Sequence, residues 1–187
     1  MRRIRATLVL LALVSLSGWP ALALSLPSGG EIASSSAGDS SLVSGSWAEM
    51  VIAPRVCPVA VYDPVRDRLV VFGGYDGTPC ARNDVWVLSL SGKPVWQQLF
   101  PSGTLPSGRS QTTAIYDPAR DRILIFGGVD SSVTHLNDVW ALSLSGTPAW
   151  TDLATAGEPP SGRSLHTAVY DPNGDRMIVF GPCPASC

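Results

Sequence analysis

One segment of the chain, residues 109–150, is repeated on both sides of itself: RSQTTAIYDPARDRILIFGGVDSSVTHLNDVWALSLSGTPAW. Equivalent residues stand 54 positions apart without a gap, and they include a tyrosine, an arginine and two tryptophans. The recurring residues are Tyr62, Tyr116 and Tyr170; Arg55, Arg109 and Arg163; Trp86 and Trp140; and Trp96 and Trp150. Residues 114–128 match residues 60–74 at ten of fifteen positions and residues 168–182 at eight. The pattern indicates an internal repeat.

Each repeat unit predicts four short strands separated by turns. In the middle unit, residues 112–116 form a first strand that ends at an Asp-Pro turn. Residues 123–126 are apolar without alternation, as expected of a strand buried on both faces, and a glycine doublet at 127–128 ends them. A third strand alternates over residues 139–144, and a fourth is centred on Trp150.

Four strands in a unit of about fifty residues, with a glycine doublet and two spaced tryptophans, resemble the blade of a kelch-type β-propeller. The residues that carry the resemblance are Gly73, Gly74, Trp86, Trp96, Gly127, Gly128, Trp140 and Trp150. The resemblance implies an all-β fold made of four-stranded antiparallel blades, in the family also called galactose oxidase-like. It covers residues 46–181 and implies little about activity, because propellers host unrelated functions.

The predicted propeller, residues 47–187, contains too few blades to close a ring. It divides into a blade at 55–108, a blade at 109–162 and a half blade at 163–181, whereas closed propellers have about 4 to 8 blades. The incomplete ring has three explanations: a truncated reading frame, several copies completing one ring, or a small open sandwich. We favour truncation, and we expect the open blade edges to promote self-association.

The N-terminal residues predict export from the cytoplasm. Residues 1–23 have a basic start, an apolar stretch and an Ala-Leu-Ala ending, which indicates a secretory signal peptide cleaved after Ala23. Residues 24–46 are rich in Ser and Gly and predict a flexible linker. Trp47 resembles the last strand of a preceding blade. We therefore expect a secreted, periplasmic or cell-surface protein with no membrane span, because the apolar stretch is interrupted early.

The charge of the chain argues against a nucleic-acid partner. Without the three signal-peptide arginines, ten basic residues stand against fifteen acidic ones, a net charge of −5. A single lysine, Lys93, and scattered arginines form no basic stripe that could follow a phosphate backbone.

Four cysteines fit an oxidising compartment. Cys57 lies at the start of a first strand and Cys80 in the loop between second and third strands, and in an up-and-down blade both places share one end. A Cys57–Cys80 disulfide is therefore predicted, with Cys183 and Cys187 pairing together or with a segment outside this sequence. Their spacing does not fit a zinc site.

The charged residues that recur in every unit favour a structural role over a catalytic one. The recurring Y-D-P-x-x-D-R carries two carboxylates and an arginine in every unit, which indicates a hairpin turn and not a catalytic pair. An arginine recurs directly before each first strand, at Arg55, Arg109 and Arg163. These arginines could bind an anion at one end of the propeller's central channel, or they could bond nearby carbonyls and acids.

The sequence predicts no catalytic residue, metal or cofactor. Copper oxidases of the resembling family hold their metal with two histidines and two tyrosines, and neither His135 nor His166 belongs to such a set. Hydrolase, phosphate-loop and zinc-protease motifs are also absent from the sequence. An alternative remains open, in which the chain is a fragment of an extracellular carbohydrate-active enzyme whose catalytic residues lie elsewhere.

The loops after the glycine doublets differ between the units and are the predicted recognition surface. They read YDGTPCAR in the first unit and VDSSVTHL in the second. A constant scaffold with changing loops is typical of binding proteins. The hypothesis is a secreted module that binds a protein or a glycan through Tyr75, Asp76, Arg82, Asp130 and His135.

Overall fold

A computed structural model describes residues 54–77 and 80–182. The predicted signal peptide, the linker, Trp47, Cys183 and Cys187 lie outside the described residues. The described part of the chain contains no helix of the length and apolar character needed to cross a bilayer.

The first blade is a four-stranded antiparallel sheet whose strands pair in chain order. Its strands are β1 (Val59–Asp63), β2 (Arg68–Phe72), β3 (Val85–Ser89) and β4 (Trp96–Leu99). Val70, Val71 and Phe72 on β2 are each almost fully buried, because this strand packs on both of its faces, as its apolar sequence predicts.

The second blade repeats the sheet and extends it at both edges. Its four main strands are β7 (Thr113–Asp117), β8 (Arg122–Asp130), β9 (His135–Ser143) and β10 (Ala149–Asp152). Two short strands from the connecting segment, β5 (Ser102–Gly103) and β6 (Arg109–Ser110), pair with β10 and β8. The sheet therefore has six strands where the sequence predicts four, because the connection between the blades also makes backbone hydrogen bonds.

The third sheet, in the described residues, is a hairpin of β11 (Thr167–Asp171) and β12 (Arg176–Phe180). Phe180 is 79% exposed, whereas Phe126, its equivalent in the second blade, is 3% exposed. The difference arises because the hairpin covers Phe126, while no described element covers Phe180. The all-β fold with an open ring is confirmed.

The core lies between the first and second blades. Phe72 of the first blade packs against Trp150 of the second, with ring centroids 5.1 Å apart. The other buried members of this cluster are Val70, Val85, Val87, Ile123, Ile125, Trp140, Leu142 and Leu144. The first strands also form a line, since β7 contacts both β1 and β11. Backbone hydrogen bonds from Gln111 N to Cys57 O and from Leu165 N to Gln111 O continue that line.

The Y-D-P-x-x-D-R segment forms the hairpin turn of every unit. In the second blade, Asp117 Oδ1 accepts from Ala119 N, its Oδ2 accepts from Arg122 Nε at 2.8 Å, and the Tyr116 hydroxyl donates to Asp121. The first and third turns repeat the tyrosine–aspartate and aspartate–arginine bonds. The recurring carboxylates therefore hold the turns, in agreement with the structural interpretation of the motif.

The predicted Cys57–Cys80 disulfide is not formed in the structure. Cys57 has a left-handed backbone, with φ of 51°, and its carbonyl accepts from Gln111 of the second blade. The loop carrying Cys80 turns toward the second blade, where Ala81 N donates to Ser131 Oγ. Both cysteines lie near one end of the blade, but that proximity does not bring their sulfurs together.

Candidate functional site: the loop end of the blades

The end of the blades that carries the glycine doublets and the loops after them is here called the loop end. At this end the backbone of each unit closes over the doublet of the preceding unit. Gly74 N donates to Arg109 O, and Gly128 N donates to Arg163 O, both at 2.9 Å. A Cβ on Gly73 would lie 2.5 Å from Arg109 O, so the doublet allows the next unit to approach closely.

Arg55 and Arg109 each bind an aspartate that lies in the third strand of their own blade or directly before it. Arg109 makes a two-pronged ion pair with Asp138 at 2.6 and 2.8 Å and also donates to Gly127 O. Arg55 makes the same contacts with Asp84 and Gly73 O. These bonds fit the interpretation in which the repeated arginines bond nearby acids and carbonyls, and the Arg109 side chain has no exposed surface left for a ligand.

The carboxylates of these pairs stay ionised. Burial alone would raise the pKa of Asp138, but hydrogen bonds from Arg109 and Trp140 outweigh it and lower that pKa. The pKa of Asp84 is lowered for the same balance of reasons, with Arg55 and Trp86 as donors. Each aspartate thus ties an arginine to the indole of the tryptophan two residues later.

Arg163 occupies the equivalent position in the third unit and has a different environment. Its Nε donates to Ser161 O at 3.1 Å, and its Nη1 lies 3.5 Å from Gly181 O. Among the residues that the structure describes, no carboxylate forms an ion pair with Arg163.

The structure brings the two variable loops together. Ala81 N in the first loop donates to Ser131 Oγ in the second at 2.8 Å. Tyr75 pairs with Val56 through its backbone and keeps 42% of its surface exposed. Arg82 forms an ion pair with Asp76, which gives both side chains a partner within the same loop.

The remaining two predicted loop residues have different surroundings. Asp130 caps its own loop, because Oδ1 accepts from Ser132 N and Thr134 N at 2.8 and 2.9 Å. His135 begins β9 opposite Val129, and its Nδ1 is buried without a hydrogen-bond partner among the described residues. Of the five predicted binding residues, Tyr75 and Arg82 offer the most exposed side chains of this surface.

Sequence reasoning missed the ion pairs that join the opposite end of the blades. Arg66 binds Asp121 of the second blade at 2.6 and 3.0 Å, and Arg120 binds Asp175 of the third unit at 2.6 and 2.9 Å. The two arginines are 54 residues apart, which was the available signal. That recurrence alone does not reveal that each arginine reaches across to the next unit.

Residues 54–77 and 80–182 contain no group of three or more His, Cys, Asp or Glu side chains placed to hold a metal ion.

Comparison with known proteins identifies the family. Residues 41–186 match the family model described as the KLHDC2/KLHL20/DRC7 Kelch-repeats domain. Adagio-like protein 3 of Oryza sativa subsp. japonica is 31% identical over 150 residues, covering 78% of this chain and 23% of the relative. An F-box/kelch-repeat protein of Arabidopsis thaliana is 29% identical over 167 residues, covering 74% of this chain and 34% of the relative.

A solved structure supports the fold. The structure of YjhT aligns with a TM-score of 0.52 and 22% identity, covering 69% of this chain and 34% of that one. The chain spans between about a quarter and a third of the length of these curated relatives. The match of the family model to most of the chain, together with the repeated antiparallel sheets, shows that the chain belongs to the kelch-repeat family.

Proposed function

We propose that the chain is a secreted binding module that recognises a protein partner through its loop end. The observation that supports this most directly is the contact between the two variable loops, Ala81 N to Ser131 Oγ. It joins loops of different sequence from adjacent blades into one surface. The kelch-repeat family consists mostly of binding modules without catalysis, which favours the same reading.

The chemistry of this surface favours a protein over a sugar chain. Tyr75 offers an exposed aromatic residue, and Arg82 offers a side chain that is 45% exposed beside Asp76. Tyrosine and arginine are enriched at protein–protein interfaces, because each combines a large contact area with hydrogen bonding. The hypothesis has a second form, in which the ligand is a glycan. One experiment distinguishes a protein ligand from a glycan ligand.

The test compares three forms of the full chain immobilised on a surface. The loop variant carries Tyr75→Ala and Arg82→Ala, and the control carries Arg120→Ala at the opposite end of the blades. Extracellular proteins of the source organism and a glycan array serve as probes. We expect one set of proteins to bind the wild type and the control, and to bind the loop variant at least tenfold less.

Two results would count against the proposal. Equal protein binding by the wild type and the loop variant would exclude the loop end as the contact surface. Binding to the glycan array alone, lost in the loop variant, would replace the protein partner by a sugar.

Export of the chain is a separate part of the proposal. The sequence of residues 1–23 supports it. Expression of the full chain in a bacterial host should give a periplasmic product whose first residue is Leu24. Retention of the intact N-terminus in the cytoplasm would contradict secretion while leaving the binding proposal standing.

A further inference from the structure

We propose that Asn173 is a site of spontaneous chemical modification, at which the backbone amide of Gly174 converts the asparagine to aspartate and isoaspartate and so loosens the turn of the third unit. The site lies in the turn between β11 and β12, at the end of the units opposite the loop end. The proposal does not depend on the function proposed for the loops.

The chain contains three asparagines, and the side chains of two of them are fixed by hydrogen bonds. Asn83 donates through Nδ2 to Pro106 O, and Asn137 donates through Nδ2 to Pro160 O, both at 3.2 Å. Each of the two is followed by an aspartate, whose side chain hinders the approach of its own backbone amide to the asparagine. These two residues therefore serve as the chain's own examples of a restrained asparagine.

Asn173 differs from both in its exposure and in the residue that follows it. Residues 172–175 are all exposed, and within the described part of the chain the Asn173 side-chain amide has no hydrogen-bond partner. The next residue is Gly174, at the position that Arg66 and Arg120 occupy in the first two units. Because glycine has no side chain, its amide nitrogen can approach the asparagine side chain without hindrance.

The reaction requires only water as a co-reactant. The deprotonated nitrogen of Gly174 forms a bond to Cγ of Asn173, and the bond between Cγ and the side-chain nitrogen breaks. The leaving nitrogen takes up a proton from water and departs as ammonia, which leaves a cyclic imide. Water then opens the ring at one of its two carbonyls. One opening gives aspartate, and the other gives isoaspartate, whose main chain runs through the former side chain.

The folded turn slows this reaction without preventing it. Asn173 N and Gly174 N both donate to Asp171 Oδ1, at 3.1 and 3.2 Å. The Gly174 hydrogen bond lowers the pKa of Asp171, so the acceptor remains a carboxylate at neutral pH. The attacking nitrogen must leave this carboxylate, and an exposed turn opens locally at low cost. We therefore expect a rate below that of an unfolded peptide and above those of Asn83 and Asn137.

Isoaspartate at this position would disrupt the turn. Its main chain is one carbon longer, so the two turn amides can no longer both reach Asp171 Oδ1. The same aspartate accepts from Arg176 Nε at 2.9 Å, and Asp175 binds Arg120 of the second blade. Loss of the turn therefore weakens the pairing of β11 with β12 and the ion pair that joins the hairpin to the second blade.

The test follows the full-length protein during incubation at neutral pH. Peptide mapping by mass spectrometry measures the conversion of each asparagine separately, and a synthetic peptide of residues 168–178 gives the unfolded rate. We expect Asn173 to convert at least tenfold faster than Asn83 or Asn137. Its rate should rise with pH, because the attacking nitrogen reacts in its deprotonated form. An unmodified Asn173 after the peptide has reacted completely would overturn the proposal.

One substitution distinguishes attack by Gly174 from direct hydrolysis of the side-chain amide. Gly174→Arg restores the residue of the first two units and places a side chain on the attacking residue. A Cβ at this position would lie 2.8 Å from Arg176 Nε and from Asp171 Oδ2, both at the ends of flexible side chains. We expect the conversion of Asn173 to slow at least tenfold. Equal rates in the wild type and the variant would overturn the proposal, because direct hydrolysis does not need the glycine.

Aged protein tests the consequence for the turn. Isoaspartate, measured by methyl transfer from an isoaspartyl methyltransferase, should accumulate as Asn173 is lost. Asp76 also precedes a glycine, but its isomerisation leaves the mass unchanged, so the peptide map separates the two sites. We expect the Tm to fall by about 2–4 °C as Asn173 converts and to stay constant in Gly174→Arg over the same interval. An unchanged Tm, or an equal fall in both proteins, would contradict the proposed effect on the turn.

Discussion

Two interfaces of the protein are built from equivalent residues but differ in how completely they are filled. The first lies between the first and second blades, and the second lies between the second blade and the third unit. In the first, Phe72 meets Trp150 and ten buried side chains form one core. In the second, the rings of Phe126 and His166 meet edge to face with centroids 5.3 Å apart. The rest of this interface is an open groove between the second blade and the hairpin. Burial in this repeat is therefore decided by the neighbouring unit, not by the residue's own position in its strand.

The tryptophans show the same rule within single blades. Trp150 is 3% exposed because the first blade packs against it. Trp96, its equivalent in the first blade, has no blade before it among the described residues and is only partly buried. Four predictions test this difference, from the largest expected effect to the smallest.

Replacing Trp150 should break the filled interface. Trp150→Ala removes the ring that packs on Phe72, and we expect a loss of about 3–5 kcal/mol in the free energy of unfolding. Trp96→Ala, which removes a partly buried ring, should cost less than half as much. Urea unfolding followed by tryptophan fluorescence measures both. Equal losses would show that the filled interface contributes no more than the open face.

Removing the repeated arginine should destabilise the protein more in the second unit, where it forms an ion pair, than in the third. Arg109→Met leaves Asp138 without its partner, and we expect a loss of about 3 kcal/mol, the lower end for a buried pair, because the Asp138 side chain is 33% exposed. Arg163→Met, where the structure describes no ion pair, should change stability by less than about 0.5 kcal/mol. The same urea titrations provide the comparison, and a large loss for Arg163→Met would contradict it.

Acid should weaken the second interface before the first. Burial, followed by the nearby Arg163 charge, lowers the pKa of His166, so the folded state favours the neutral ring that contacts Thr113 Oγ1. This contribution is fully present above the unfolded pKa of about 6.5 and is lost as the pH falls through the lower folded value.

The first interface has Thr112 at the equivalent position and lacks this titration. We expect a Tm decrease of about 2–4 °C between pH 6.5 and pH 5 in the wild type and almost none in His166→Thr. Scanning calorimetry of both proteins measures it. An equal decrease in the variant would assign the acid sensitivity to other groups.

The ion pairs at the opposite end should contribute least. Arg66→Ala and Arg120→Ala each remove a surface pair to the next unit, and each loss should lie between about 0.2 and 1 kcal/mol. Arg120 is more exposed than Arg66, so its loss should be the smaller. Repeating the measurement in 1 M salt should shrink both differences. Losses that do not respond to salt would point to packing by the arginine stems.

The recurrence of residues predicted the fold because a strand pattern repeated at one spacing leaves few alternatives. The blades, the Asp-Pro turns and the doubly buried strand ending at Phe72 follow from residue type and position alone. The bond from Arg66 to Asp121 could not be predicted in this way. A spacing of 54 residues does not distinguish a bond within a unit from a bond to the next unit.

The candidate site was less accessible to sequence reasoning. Tyr75 and Arg82 lie in a loop that contacts the next blade, as a recognition surface requires, but the pairing of Arg82 with Asp76 depends on how the loop folds. The Cys57–Cys80 prediction was wrong because two residues at one end of a blade can point in different directions. Side-chain direction in an irregular loop has no period from which to read it.

The closure of each glycine doublet by the following unit has a consequence for synthesis on the ribosome. A chain emerges from its N-terminus, and domains tend to fold as their residues become available. The amide of Gly74 receives its partner from Arg109, which lies 35 residues later. All four strands of the first blade are therefore synthesised before the residue that closes its loop end. Each new unit completes the backbone hydrogen bonds of its glycine doublet only when the first residues of the next unit have been synthesised.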